Sequence, residues 1–167
     1  LQFDYRVNSG QSLIVGFDYY DDAVESTSNF IVNSRDNSAL FAQYLADIGA
    51  ARLQLSVRND DNQAFGNETT GSAALGYEIA DGLSISVSYG TGFKAPTFND
   101  LYFPFVDFGF GFTFEGNPNL DPEKSESFEV LVKHDLGNLD WSFAAYQTDI
   151  EDLIQLTATS VDNIAEA

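Results

Sequence analysis

Apolar and polar residues alternate with period two along most of this chain, the signature of β-strands with one buried face. Phe3, Tyr5 and Val7 alternate with Asp4, Arg6 and Asn8, and Leu13, Val15, Phe17 and Tyr19 continue the pattern after a tight turn at Asn8–Gly10. Leu40, Ala42, Tyr44, Ala46 and Ile48 share one face, and Leu53, Leu55 and Val57 share the next. Ala73, Leu75, Tyr77 and Ile79 run down to a turn at Ala80–Gly82, and Leu83, Ile85, Val87 and Tyr89 run back. Phe128, Val130 and Val132 lead to a turn at Leu136–Asn138. Leu139, Trp141 and Phe143 open a strand that continues to about Ile154, and the last residues begin another. No segment shows helical period. The pattern predicts an all-β, antiparallel fold of about nine strands.

The connections carry further information. Short turns are expected at Asn8–Gly10, Asp47–Ala50, Ala80–Gly82 and Leu136–Asn138. Long polar loops are expected at Asp21–Ser38 and at Asn59–Thr70, with a long aromatic loop after Tyr89. Short turns at one end and long loops at the other are what a transmembrane barrel predicts. Strands of about ten residues match the length a tilted membrane strand needs. The polar faces, such as Ser84, Ser86 and Ser88 or Gln54, Ser56 and Arg58, suit a hydrated lumen. A soluble acidic β-sandwich serving as a binding or adhesin module is the competing reading of the same alternation. If the fold is a barrel, more strands are expected before Leu1 and after Ala167, because lipid offers no partner to an open sheet edge.

Charge narrows the partners. The chain holds 26 acidic and 7 basic side chains, a net charge of −19. No cationic footprint exists for nucleic acid. The chain has no cysteine, so disulfides, thiol chemistry and thiolate metal ligands are excluded. Apolar residues make up 44% of the chain, which opposes disorder. The opening residues, LQFDYRVNSG, hold no apolar signal segment.

Candidate chemistry is sparse. Asp60, Asp61 and Asn62 cluster oxygen ligands suited to calcium, as do Asp21, Asp22 and Glu25, but without the spacing of a known loop. The plainer reading of both is a solvated acidic loop. His134 adjoins Asp135, but neighbours in a strand point to opposite faces, so the pair is not a catalytic one. No catalytic residue, no metal ligand and no cofactor is assigned, and no enzyme is expected. Tyr20, Tyr89, Phe93 and Tyr102 fall where strands meet the long-loop side, and Trp141 just beyond a short turn. Both positions fit interfacial aromatic girdles as well as ordinary strand preference. Phe108, Phe110, Phe112 and Phe114 alternate with Asp107, Gly109, Gly111 and Thr113. That period predicts an extended arm with one phenyl face. Each ring is worth roughly 2 kcal/mol when buried, so the face is expected to meet neighbouring loops, the outer leaflet or an apolar part of a ligand. These four phenylalanines are the candidate ligand contacts.

Several segments, in order, carry a family resemblance. They are RNDDNQAFG at Arg58–Gly66, TTGSAALGYEIADGLSISVSYGTGFKAPTFNDLY at Thr69–Tyr102, GNPNLDPEKS at Gly116–Ser125, DIEDLI at Asp149–Ile154, and the closing NIAEA. In this order and spacing the chain resembles TonB-dependent outer-membrane receptors, most closely their cobalamin-transporting branch. The resemblance implies that residues 1–167 are part of a plugged barrel of about 22 strands. It implies a location in the Gram-negative outer membrane and contact with membrane lipid. It also implies energy-coupled import of cobalamin or a similar large ligand, with ferric siderophore or haem as the alternative cargo. A plug, a Ton box for the TonB system and a signal peptide are expected before Leu1, and further strands after Ala167. No ligand or metal residue of the family carries over to this stretch. The run Phe103–Glu115 is longer than the resemblance predicts.

Overall fold

In a computed structural model, which describes residues 1–166, the chain folds into a single antiparallel sheet of nine strands in meander order, with a small hairpin beside it. The first six strands are β1 (Gln2–Asn8), β2 (Gln11–Ala23), β3 (Ser34–Ile48), β4 (Ala51–Asn62), β5 (Gly66–Ala80) and β6 (Leu83–Lys94). The long loop that follows holds a one-turn helix, α1 (Phe98–Tyr102), and the separate hairpin of β7 (Val106–Gly109) and β8 (Phe112–Phe114). The sheet then resumes with β9 (Glu123–Asp135), β10 (Asp140–Leu156) and β11 (Val161–Glu166). The nine strands of the sheet are those the alternation predicts. Ala167 lies outside the described residues.

The register keeps every apolar row in phase. Val15 faces Ala42, Ala42 faces Val57, and Leu53 faces Leu75. Leu75 faces Val87, Val87 faces Val130, and Val130 faces Ala145. A slip of one residue would turn a whole row to the other face. Opposite this apolar surface runs a small, polar one, where Ser56 meets Ser72 by a 2.7 Å hydroxyl contact and Ser127 meets Thr148 at 2.9 Å.

The sheet buries almost nothing on itself. Leu40, Phe143, Leu75 and Val57 are all at least half exposed. The accessible surface is 11030 Å², against about 8,100 Å² for a compact chain of this mass. The excess is an uncovered apolar face, which hydrocarbon covers in a membrane-spanning sheet.

All four short turns lie at one end of the sheet, as expected. Three require glycine: Gly49, Gly82 and Gly137 have φ of +62°, +73° and +82°, where glycine adopts the left-handed region without penalty. The opposite end departs from expectation. β2 and β3 run on into the predicted Asp21–Ser38 loop, leaving only residues 24–33 as connection. The predicted loop Asn59–Thr70 is mostly strand, closed by a tight turn at residues 63–65. Backbone ladder bonds do not depend on side-chain polarity, so polar strand ends above the apolar band look like loop in the sequence. The resulting strands, 15 residues in β3 and 17 in β10, exceed the ~10 needed to cross a bilayer.

The one compact core among the described residues lies at this long-loop end. Leu101 of α1, Leu120 and Val161 are buried together, with Ala64, Tyr102, Phe114 and Ile154 packed around them. The helix itself is a correction to the sequence reading. Thr97 caps it by accepting from the Asp100 N–H, while the Asp100 carboxylate accepts from the Thr97 N–H at 2.8 Å. This reciprocal box stabilises a turn too short to show periodicity. Gly116 sits against its last turn. A Cβ there would lie 2.7–2.8 Å from backbone atoms of Leu101, Tyr102 and Phe103.

The GNPNLDPEKS segment has a structural role. Asn117 Nδ2 donates to the Val161 carbonyl (3.1 Å) and to Asp162 Oδ1 (3.2 Å). Asn163 of β11 clamps the same segment from the other side. Its Oδ1 accepts from the Asp121 N–H, and its Nδ2 donates to the carbonyls of Asp121 and of Asp152, a residue with φ of +54°. The bonds of Asn117 to Val161 and Asp162, and of Asn163 to Asp121, join stretches 42 to 45 residues apart.

Two measurements follow in the full-length protein. Asp81, exposed in a short turn, and Asn67, exposed at the other end, are the sites for single cysteines. Gly82 is unsuitable, because a Cβ there would meet the Asp135 carbonyl. An impermeant thiol reagent added to intact cells should label Asn67→Cys and spare Asp81→Cys; the reverse pattern would invert the topology. Asn163→Ala should cost the loop about 2 kcal/mol through its unpaired partners. Proteolysis at residues 116–122 should then accelerate while the heat-modifiable mobility of the barrel stays unchanged; an unaltered cleavage rate would remove the clamp.

Candidate functional site

The polar face of β2, β3 and β4, at the long-loop end, holds the densest array of charged side chains. Alternation puts Asp18, Tyr20 and Asp22 of β2 on the face shared by Arg35 and Asn37 of β3 and by Arg58, Asp60 and Asn62 of β4. Arg58 grips Asp60 in a fork, Nε to Oδ2 at 2.8 Å and Nη2 to Oδ1 at 2.9 Å, and its Nη1 reaches Asp18 Oδ2 at 2.8 Å. Such two-pronged pairing is the strongest arginine–carboxylate geometry. Behind it, Asn37 Nδ2 donates to Asp60 Oδ1 at 3.0 Å, Asn62 Nδ2 donates to Asn37 Oδ1 at 3.1 Å, and Asn62 Oδ1 accepts from the Ala64 N–H. Asn37, Asp60 and Asn62 are buried, and every polar atom named here has a partner, as a buried network requires.

Asp60 and Asn62, weighed above as calcium ligands, are thus committed to Arg58, Asn37 and the backbone, and alternation turns Asp61 to the opposite face. Asp22 of the second acidic group lies 3.6 Å from Arg35. Tyr20, expected in an outward girdle, instead sits among these charges. Burial first, then the carboxylates of Asp22 and Asp60, hold its hydroxyl above the ordinary range. The sequence carried a signal for this network, since Arg58 and Asp60 lie two apart on a polar strand face. The partners Asp18 and Asn37 come from other strands and needed the register.

Arg35 connects the wall to the long loop. Its Nη1 donates to the Pro96 carbonyl at 2.8 Å, and its guanidinium lies 4.8 Å above the Phe98 ring. The KAPTF segment is therefore docked on β3. Beside the network, Asp18, Phe41, Gln43, Ser56, Arg58 and Ser72 help line an open hollow of about 450 Å³.

The four candidate phenylalanines do not form one arm. The chain reverses at Phe110-Gly111, where φ is +56° and +85°, with Gly109 facing Phe112. This is a two-residue hairpin turn with both central residues left-handed, a shape that asparagine or glycine usually fills. Period two predicted a straight strand because it cannot register a reversal that preserves alternation on both sides. Phe114 goes down into the loop core, with its ring 5.4 Å from Phe103, which in turn meets Phe30 at 5.7 Å. Phe108, Phe110 and Phe112 stand in the open, and Phe110 is fully exposed. His134 lies edge-on to Trp141 at 5.7 Å on the apolar face, and Tyr102 belongs to the loop core. Phe93 packs edge-on against Phe65 at 5.7 Å.

Comparison with known proteins bears on this geometry. A family model described as "TonB dependent receptor-like, beta-barrel" matches residues 1–167. The chain is 37% identical over 163 residues to the vitamin B12 transporter BtuB of Photobacterium profundum, covering 97% of this chain and 25% of that protein. It is 35% identical over 152 residues to the same-named protein of Vibrio vulnificus, covering 89% and 23%. The chain thus spans about a quarter of the length of the curated relatives it matches. Among solved structures, the siderophore receptor PirA from Pseudomonas aeruginosa superposes with a TM-score of 0.84 at 17% identity, over 99% of this chain and 33% of its own. A mutant of the ferric enterobactin receptor PfeA from the same organism superposes at 0.78 and 14% identity, over 99% and 30%. Those likenesses establish the barrel fold. With the match to the family model along the whole chain, they show that this chain belongs to the TonB-dependent receptors of the Gram-negative outer membrane, its strands being strands of their β-barrel.

Proposed function

We propose that residues 1–167 are a stretch of barrel wall within a longer receptor that imports cobalamin across the outer membrane, with energy delivered through TonB. The longer protein would supply a plug, a Ton box and the remaining strands. The observation that carries the choice of cobalamin is the identity of 35–37% to two proteins named vitamin B12 transporter, over nearly the full chain. The siderophore receptors share the fold at 14–17% identity, which is too distant to argue for their cargo.

The wall has parts suited to holding a large ligand. The Arg58 network makes the polar face rigid at the long-loop end, and rigid scaffolds beneath loops are where recognition is built. The loop docked by Arg35 carries the exposed hairpin, so Phe108, Phe110 and Phe112 are our proposed ligand contacts, with Phe114 as their anchor. Retaining bare phenyl groups, one of them in a left-handed conformation, costs stability. Contact with an apolar edge of a ligand would offset that cost.

The full-length protein, expressed in cells lacking their own cobalamin transporter, should restore cobalamin uptake, and loss of TonB should abolish it. Uptake of a ferric siderophore or haem with none of cobalamin would overturn the assignment. For the hairpin, the double variant Phe110→Ser, Phe112→Ser should weaken ligand binding to isolated membranes by about tenfold or more, with barrel stability unchanged. Unchanged affinity would leave the hairpin without a ligand role.

A further inference from the structure

The wall has one seam, among the described strands, where two neighbours are both extended yet do not pair. β5 pairs with β4 from Tyr77 up to Gly66, and β6 pairs with β9 from Leu83 up to Lys94. β5 and β6 pair with each other only as far as Ser72 and Gly90. Above that level, residues 66–71 and 91–94 remain strands, each bonded to its far neighbour, and the two edges part. A hollow of about 700 Å³ occupies this level. Gly71, Gly90 and Gly92 cluster where the strands separate.

Four ties hold the seam. Thr91 Oγ1 accepts from the Gly71 N–H at 3.0 Å, and Phe65 meets Phe93 edge-on. Lys124 Nζ, from β9, reaches Glu68 of β5 at 3.2 Å, with the Glu68 side chain only 15% exposed. Above them, Arg35 of β3 donates to the Pro96 carbonyl, which follows β6. This last tie is incomplete. Arg35 Nε is buried without an acceptor, and the nearest carboxylate oxygen, on Asp22 of β2, stands 3.6 Å away, too far for a hydrogen bond. A buried unpaired donor disfavours the arrangement that contains it. Asp22 and Arg35 lie on the same side of the seam and Pro96 on the other, so separation would free Arg35 to pair with Asp22.

We propose that the β5–β6 seam is a latched parting line, along which a panel of β2–β5 and a panel of β6, β9 and β10 move apart at the long-loop end. Glu68–Lys124 is the latch, and Arg35 exchanges Pro96 for Asp22 as the seam opens. Below Ser72–Gly90 the ladder is continuous, so the membrane-spanning wall stays closed. A bistable contact of this kind gives two discrete arrangements rather than a gradual strain.

The test uses spin labels in the full-length protein in outer-membrane vesicles. One pair, at Asn67 and at Asp149, which is level with Thr91 above the parting point, spans the seam; a control pair, at Asp21 and Asn67, lies within one panel. Lys124→Gln should lengthen and broaden the seam-spanning distance and leave the control unchanged. The charge-reversed double variant Glu68→Lys, Lys124→Glu should restore the original distribution. The proposal fails if Lys124→Gln superposes on the parent, if the control pair broadens equally, or if charge reversal does not restore the distance.

Discussion

Everything in this chain rests on the backbone ladder of a sheet one layer thick. No second layer packs on it, and the nine strands have no shared interior among the described residues. The ladder satisfies the peptide groups, and the apolar face is left for hydrocarbon. In lipid an unpaired N–H or C=O has no water to turn to, so register is enforced at every strand. A soluble domain can tolerate a frayed edge; a membrane wall cannot.

At the long-loop end the same sheet leaves the bilayer, and different forces take over. The strands continue as a rim held by polar contacts, and a small apolar core around Leu101, Leu120 and Val161 appears where water is available to drive burial. Two asparagines and one arginine then fasten the long loop to β11 and β3. The arginine pairs of the rim stand in a chain of net charge −19, where carboxylates far outnumber cations. Arg58 accordingly has two carboxylate partners, and Arg35 has one only at long range.

This division also places the candidate site. The membrane-spanning part is constrained by lipid on one face and by close strand packing throughout. The rim and its loop are free of lipid and are where side chains can be committed to recognition. The aromatic hairpin shows both demands within one loop: Phe103 and Phe114 are spent on packing, and Phe108, Phe110 and Phe112 are not.

By itself the sequence determined the nine strands of the main sheet, the apolar face most of their residues share and the four short turns, because period-two alternation and turn residues act locally. It also determined the family, since the segments around KAPTFNDLY and GNPNLDPEKS keep their order. It did not reveal that Asn59–Thr70 is largely strand, since a ladder bond is indifferent to whether Asp60 or Leu55 carries it. It did not reveal the turn at Phe110-Gly111, since a reversal leaves the alternation intact. Only the tertiary structure decided that Asp60 belongs to Arg58 and Asn37, that Asn163 holds Asp121, and that β5 and β6 part above Ser72. Apart from the Arg58–Asp60 fork, each of these joins residues distant in sequence. Their pairing follows from how neighbouring strands register and where the loop returns, which no local pattern encodes.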